Sequence, residues 1–139
     1  MTFYVASDVS LPLLDWRDDN PAFHVTPVPD REVSVVGQFT KPHVYYVGSH
    51  EQCGCGFEYD EDDYGEPDQR AAAVRSVDAL RSYLEAALRA TASLELYACW
   101  DGDWALPAEH RTVLDVSQIG GPAFAVAERT LATVVPAAA

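Results

Sequence analysis

The sequence HVYYVG at residues 43–48 is the clearest β-strand in this 139-residue chain. Aromatic and β-branched residues dominate it, and such residues pack well on a pleated, half-buried surface. Successive side chains of a strand point to opposite faces, so one face carries His43, Tyr45 and Val47 and the other carries Val44 and Tyr46. A polar loop that contains glycine follows, so we expect the strand to end near Gly48.

Residues 67–92 form the clearest helix. Pro67 suits the first helical position, where the missing amide hydrogen needs no partner. Apolar residues then recur at spacings of three and four and give one apolar stripe. The stripe consists of Val74, Val77, Leu80, Leu84, Ala87 and Leu88. Charged residues on the opposite side, such as Asp78 and Arg81, stand at the spacing at which helical charges pair.

Shorter strands flank these two elements. Residues 2–6 alternate in the manner of a strand, and residues 23–28 predict a short edge strand because Pro27 is hard to place in a central one. Residues 31–39 fit either a strand or a short helix. The last third of the chain, residues 94–135, predicts several further strands.

These elements predict an α+β fold: a single two-layer domain over residues 1–139, with a mixed or mostly antiparallel sheet and one long helix packed on it. Residues 58–68 read as an acidic loop and residues 136–139 as a frayed tail. Residues 11–21 read as a loop that apolar side chains hold against the core. Those side chains are Leu13, Leu14 and Trp16.

The net charge of the chain limits the classes of partner that it can bind. It has 22 acidic and 9 basic residues, a formal net charge of −13 and a pI near 4.4. Such a chain repels phosphate backbones and anionic membrane surfaces, which argues against nucleic acid and membranes as partners. A basic protein partner, a metal ion or a neutral small molecule is compatible with this charge. Oligomeric state does not follow from the sequence.

The cysteines and the N-terminal sequence bear on location. The three cysteines are an odd number and lack the spacing of a disulfide framework. No stretch approaches the ~20 apolar residues of a membrane span, and the first residues lack a signal-peptide pattern. We therefore expect a cytoplasmic protein with reduced thiols.

One short segment contains several residues that can bind a metal ion. Directly after the strand at 43–48, the chain places His50, Cys53 and Cys55 within six residues. Imidazole and thiolate are the usual zinc ligands, and a structural zinc site takes four of them. The fourth ligand would be Cys99 or His43. This favours a small protein with a structural zinc site in the loop, although paired C-x-x-C units are absent.

Other interpretations of this segment stay open. A cysteine beside a histidine can act as a nucleophile, which would make the protein a thiol-dependent enzyme. Cys53 and Cys55 could also simply pack in the core, because free cysteine is among the most buried residue types. A third alternative makes the protein an interaction module, of the inhibitor or immunity type, whose acidic surface docks a basic partner.

The segment His43–Phe57, with the sequence HVYYVGSHEQCGCGF, also resembles a segment of small uncharacterised bacterial proteins. The resemblance covers about one-tenth of the chain. It implies a bacterial source. It carries no known activity and therefore transfers no functional residues to this sequence.

Overall fold

The computed structural model describes residues 1–19, 21–57, 67–120 and 124–138, which form six strands and one α-helix. The strands are β1 (Thr2–Ser7), β2 (Phe23–Pro27), β3 (His43–Ser49), β4 (Leu94–Cys99), β5 (His110–Asp115) and β6 (Thr130–Val135). The helix α1 spans Pro67–Ala87. Short 3₁₀ helices lie at Asp30–Gln38, Gly54–Phe57 and Val116–Gln118. These elements confirm the predicted α+β fold.

The strands form one mixed sheet in the order β2-β3-β1-β4-β6-β5. Neighbouring strands are antiparallel except for β5 and β6, which run parallel. β1 lies between β3 and β4, and Phe3 is opposite Val47 on one side and Ala98 on the other. β1 is buried on both of its faces, so the sheet is covered on both sides at its centre.

α1 covers one face of the sheet with the stripe that the sequence predicts. Val77, Leu80 and Leu84 are fully buried in one cluster with Phe3 of β1 and Leu96 of β4. Removal of this apolar surface from water is the main stabilising contribution to the fold. The contact fixes how α1 lies across the middle of the sheet.

α1 ends at Ala87, so the predicted end at residue 92 is wrong. The next N–H groups change their hydrogen-bond pattern: Arg89 donates to the Ala86 carbonyl at 3.2 Å and Ala90 donates to the Ala87 carbonyl at 3.0 Å. Such i to i−3 bonds tighten the chain into turns. Leu88, the last residue of the predicted stripe, still donates its N–H to the Leu84 carbonyl at 2.9 Å.

The opposite face of the sheet is covered by the 3₁₀ helix at Asp30–Gln38, where the sequence left strand and helix open. Its Val35 is fully buried in a cluster with Tyr4 and Tyr97. Its Glu32 is only 2% exposed and accepts a 2.6 Å hydrogen bond from the Tyr4 hydroxyl. The buried carboxylate thereby ties this helix to β1.

The loop before β2 differs from its prediction. Leu13 and Trp16, expected to hold this loop against the core, are 52% and 37% exposed, and Leu14 is exposed as well. Leu11 is the leucine of this loop that enters the core. Leu14 contributes its backbone: its N–H donates to the Val25 carbonyl at 2.9 Å and its carbonyl accepts from the Val25 N–H at 2.8 Å. These bonds cover part of the outer edge of β2.

Two predicted segments lie partly outside the described residues. Of the acidic loop, residues 58–66 fall outside, and the last two residues, Pro67 and Asp68, belong to α1. Of the predicted tail, residue 139 falls outside. The Ala138 N–H donates to the Asp115 carboxylate at 3.0 Å, which connects the tail to the end of β5.

Candidate metal centre

The loop from β3 to the 3₁₀ turn is held by the side chain of Ser49. Its hydroxyl donates to the Cys53 carbonyl at 2.6 Å and accepts from the N–H groups of Glu51 at 3.3 Å and Gly56 at 3.1 Å. The Ser49 N–H also donates to the Cys53 carbonyl at 2.8 Å. A fully buried serine thus satisfies the polar backbone of a loop that turns back on itself.

This turn brings three potential metal ligands together. One ligand atom from each of Glu51, Cys53 and Cys55 lies within 4.8 Å of the other two. Glu51 and Cys55 are exposed and Cys53 is half-buried. Ligand atoms around a tetrahedral zinc ion are roughly 3.5 Å apart, because zinc–ligand bonds are about 2.0–2.3 Å long. Small side-chain movements therefore suffice to bring these three atoms onto one ion.

The two glycines of the loop are required for space. A side chain on Gly54 would overlap the Phe3 ring, and a side chain on Gly56 would overlap Ser49 Oγ and the His50 ring. The backbone strain of the loop lies elsewhere, at Gln52, whose φ of 65° falls in the left-handed region. The left-handed conformation of the loop therefore falls on Gln52 and not on either glycine.

His50 is anchored to α1 and does not belong to the group of Glu51, Cys53 and Cys55. Its Nδ1 lies 2.9 Å from the Ser76 hydroxyl oxygen, which also accepts the His50 N–H at 3.1 Å. Because that oxygen already accepts one hydrogen bond from this residue, its own hydrogen is available to Nδ1. His50 Nε2 lies 3.9 Å from a Glu51 carboxylate oxygen. His50 also lines a cavity of about 460 Å³ beside α1, together with Arg75.

The two candidates for a fourth ligand lie apart from the Glu51–Cys55 group. Cys99 is buried on β4, and its sulfur lies 3.8 Å from the Thr2 hydroxyl. His43 is exposed at the first position of β3. The strand rises about 3.3 Å per residue, so His43 is roughly 20 Å from Ser49 at the other end. Neither residue belongs to the group that the fold assembles.

Burial favours the protonated form of the Cys53 and Cys99 thiols. Burial raises the pKa of the Cys53 thiol, and the neighbouring Cys55 raises it further. Burial also raises the pKa of the Cys99 thiol. Tyr46, whose hydroxyl donates to the Gln52 carbonyl at 2.9 Å, has its pKa raised to about 12, first by burial and then by the nearby Cys53. A reactive thiolate needs a lowered pKa, so Cys53 and Cys99 do not fit the nucleophile of a thiol enzyme.

Glu51 is the candidate ligand that the sequence did not indicate. It is one of 22 acidic residues in the chain, and its position beside His50 carries no recognisable spacing. Only the turn at Gln52 directs its carboxylate toward the sulfurs. Cys53, Cys55 and Cys99 are all free cysteines in the structure.

Comparisons with protein-family models, with curated proteins and with solved structures find no match for this chain. Among the described residues, no helix is both long enough and apolar enough to cross a membrane. The chain therefore stands as an α+β domain with a mixed six-stranded sheet, and its function is argued from the loop itself.

Proposed function

We propose that the protein binds a single zinc ion through Glu51, Cys53 and Cys55. The observation that carries the proposal is the convergence of one ligand atom from each residue within 4.8 Å of the others. Two thiolates and one carboxylate form a donor set that suits zinc and disfavours calcium and magnesium, which prefer oxygen ligands alone. The ligand set differs from the sequence-based one, with Glu51 in the place of His50.

The proposed site has three protein ligands and leaves a fourth position to solvent. Glu51 and Cys55 are both exposed, so water can reach an ion held between them. Three anionic ligands around a divalent ion leave a net local charge of about −1, which an exposed site tolerates because water screens it. The ion would join the turn at Gln52 to the turn that follows Gly54.

Binding of the ion requires the thiols to lose their protons. Because burial raises the pKa of Cys53, zinc must compete with a proton at that sulfur at neutral pH. The affinity for zinc therefore increases as the pH rises toward the thiol pKa. The site also requires reduced cysteines, which supports our proposal that the protein acts in the cytoplasm.

The experiment is a zinc titration of the metal-free protein against a chromophoric chelator of known affinity. We expect one zinc ion per chain in the wild type, and a loss of affinity of at least about 100-fold in Cys53→Ser and in Cys55→Ser. Cys99→Ser is the matched control, because it removes a thiol from the chain and leaves the loop intact. It keeps the wild-type affinity. A wild type that does not compete with the chelator refutes the proposal, as does an equal loss in Cys99→Ser.

A further inference from the structure

β5 forms one edge of the sheet, and its residues face solvent. His110, Arg111, Thr112 and Val113 are exposed, and Val113 is 68% exposed. The other edge strand, β2, is partly covered by Leu14 and ends in Pro27, which has no N–H to offer. Edge strands that lack such protection pair readily with another strand. Within the described residues, such cover reaches β5 at its last residue, where the Gln118 side chain accepts a hydrogen bond from the Asp115 N–H at 2.9 Å.

The backbone groups of β5 alternate between β6 and solvent. Along a strand, the N–H and C=O groups of successive residues point to opposite edges. The Asp115 N–H donates to the Gln118 side chain at 2.9 Å, whereas the His110 N–H donates to the Arg129 carbonyl, on the side of β6, at 3.3 Å. Within β5, residues with the parity of Asp115 therefore direct their backbone groups away from β6. Arg111 and Val113 have that parity. Glu109, which precedes the strand, also donates its N–H to the Arg129 carbonyl, at 2.8 Å.

We propose that β5 pairs antiparallel with β5 of a second copy of this chain, in the register that places Val113 opposite Val113. A two-fold axis through such a pair is perpendicular to the sheet and keeps each face on its own side. Opposite residues must then have the same parity, and both must present backbone groups to the partner. The register centred on Val113 meets both conditions at Val113 and Arg111, whereas the Asp115 N–H must exchange its hydrogen bond to the Gln118 side chain for one to the partner. The register extends the six strands of each copy into one continuous sheet.

Charge complementarity favours this register, and it favours a second copy of the chain as the partner of β5. With Val113 at the centre, Arg111 of each chain stands opposite Asp115 of the other, so two ion pairs flank one apolar contact. Shifting the axis to Thr112 would place each Arg111 opposite a Val113 and remove both ion pairs. Opposite charges and β-branched pairs directly across a ladder are both stabilising. A foreign strand would have to supply the same order of charges by itself.

The Asp115 carboxylate is held at the end of β5 by hydrogen bonds from its own chain. It accepts hydrogen bonds from the Ser117 hydroxyl at 2.7 Å, from the Ser117 N–H at 2.8 Å and from the Ala138 N–H at 3.0 Å. These bonds lower the pKa of Asp115, with the Ser117 hydroxyl contributing most. The carboxylate stays charged at neutral pH, as pairing with Arg111 requires.

The association is weak, because a single pair of short strands buries less than a stable interface does and each chain carries a net charge of −13. We expect a dissociation constant on the order of 10–100 µM at physiological salt. The test is sedimentation equilibrium of the full chain between about 5 and 500 µM, the range that brackets this constant. A wild type that stays monomeric throughout that range overturns the proposal.

Two valine substitutions locate the interface. Val113→Asp should weaken the dimer at least about tenfold, because like charges directly opposite are destabilising. Val33→Asp is the matched control, since Val33 is 61% exposed on the 3₁₀ helix and the substitution changes the charge of the chain equally. It leaves the dimer unchanged. A dimer that survives Val113→Asp uses another surface and overturns the proposal.

Charge reversal tests the register independently. Arg111→Asp should weaken the dimer by placing two aspartates opposite each other, and the double variant Arg111→Asp/Asp115→Arg should recover most of the loss. Circular dichroism melting monitors folding, because Asp115 also caps the 3₁₀ helix at Val116–Gln118. Failure of a folded double variant to recover any affinity contradicts the register centred on Val113.

Discussion

At the scale of residues, Glu51 and His50 are neighbours in sequence whose side chains make different contacts. The Glu51 carboxylate belongs to the group with the two sulfurs, whereas His50 is anchored to Ser76 of α1. We expect Glu51→Gln to weaken zinc binding at least about tenfold and His50→Gln to weaken it less than Glu51→Gln does. The chelator titration measures both. The reverse order would restore His50 as the ligand, as the sequence suggested.

Gln52 is the strained residue of the same loop. Its φ of 65° is unfavourable for a side chain by about 1–2 kcal/mol, of which glycine's greater freedom in the unfolded chain offsets about half. Gln52→Gly should therefore raise the free energy of unfolding by about 0.5–1 kcal/mol in urea denaturation. Gln52→Ala is the control and brings no such gain. A destabilised Gln52→Gly would show that the Gln52 side chain has a role that outweighs the strain.

In this loop, the two cysteines could be recognised from the sequence as candidate ligands because of their spacing. Two cysteines separated by one glycine mark the segment from sequence, and the fold brings both sulfurs to one group. Glu51 as the third candidate ligand was not predictable, because an acidic residue in an acidic chain has no distinguishing pattern. The sequence suggested His50 instead, and the hydrogen bonds of His50 to Ser76 on α1 could not be predicted from the sequence.

At the scale of elements, the 3₁₀ helix at Asp30–Gln38 depends on one buried hydrogen bond. The Tyr4 hydroxyl donates to Glu32 at 2.6 Å, and Glu32 has almost no access to water. Tyr4→Phe should lower the free energy of unfolding by about 1.5–3 kcal/mol, because it leaves a buried carboxylate short of a donor. Tyr83→Phe is the matched control, since its hydroxyl bonds to the Pro12 carbonyl at an exposed position. It should cost about 1 kcal/mol or less.

Equal losses in these two tyrosine variants would contradict the anchoring role of Glu32.

The 3₁₀ helix at Asp30–Gln38 could not be predicted from hydrophobic periodicity, because few of its residues are apolar and a 3₁₀ helix has a different period. Glu95 of β4 is a second buried carboxylate, and it accepts hydrogen bonds from Thr40 and from the Lys41 N–H.

At the scale of the whole molecule, the fold class followed from the strands and the long helix, whereas the strand order did not. β1 pairs with β3 and β4, and these partners stand far apart in the sequence. Such pairings depend on which faces and edges fit, and periodicity within one strand carries no information about them. The parallel β5–β6 pair, which leaves β5 at the edge, is likewise a property of the assembled sheet.

The fold as a whole should lose stability at high pH. Burial raises the pKa of Tyr4, Tyr83 and Tyr97 above the ordinary value of 10.0, and it raises that of Tyr46 to about 12. The unfolded chain loses these protons near pH 10, so the contribution is present below that pH and is lost as the pH rises. We expect cooperative unfolding above about pH 10, with tyrosinate absorbance and circular dichroism changing together. Ionisation of these four tyrosines with an unchanged dichroism spectrum would contradict the prediction.

X-ray absorption spectroscopy at the zinc edge of the metal-loaded protein would identify the zinc ligands. We expect two sulfur ligands at about 2.3 Å and lighter ligands at about 2.0–2.2 Å, with the sulfur shell reduced to one ligand in Cys55→Ser. A shell without sulfur, or one that Cys55→Ser leaves unchanged, would contradict binding at Glu51, Cys53 and Cys55.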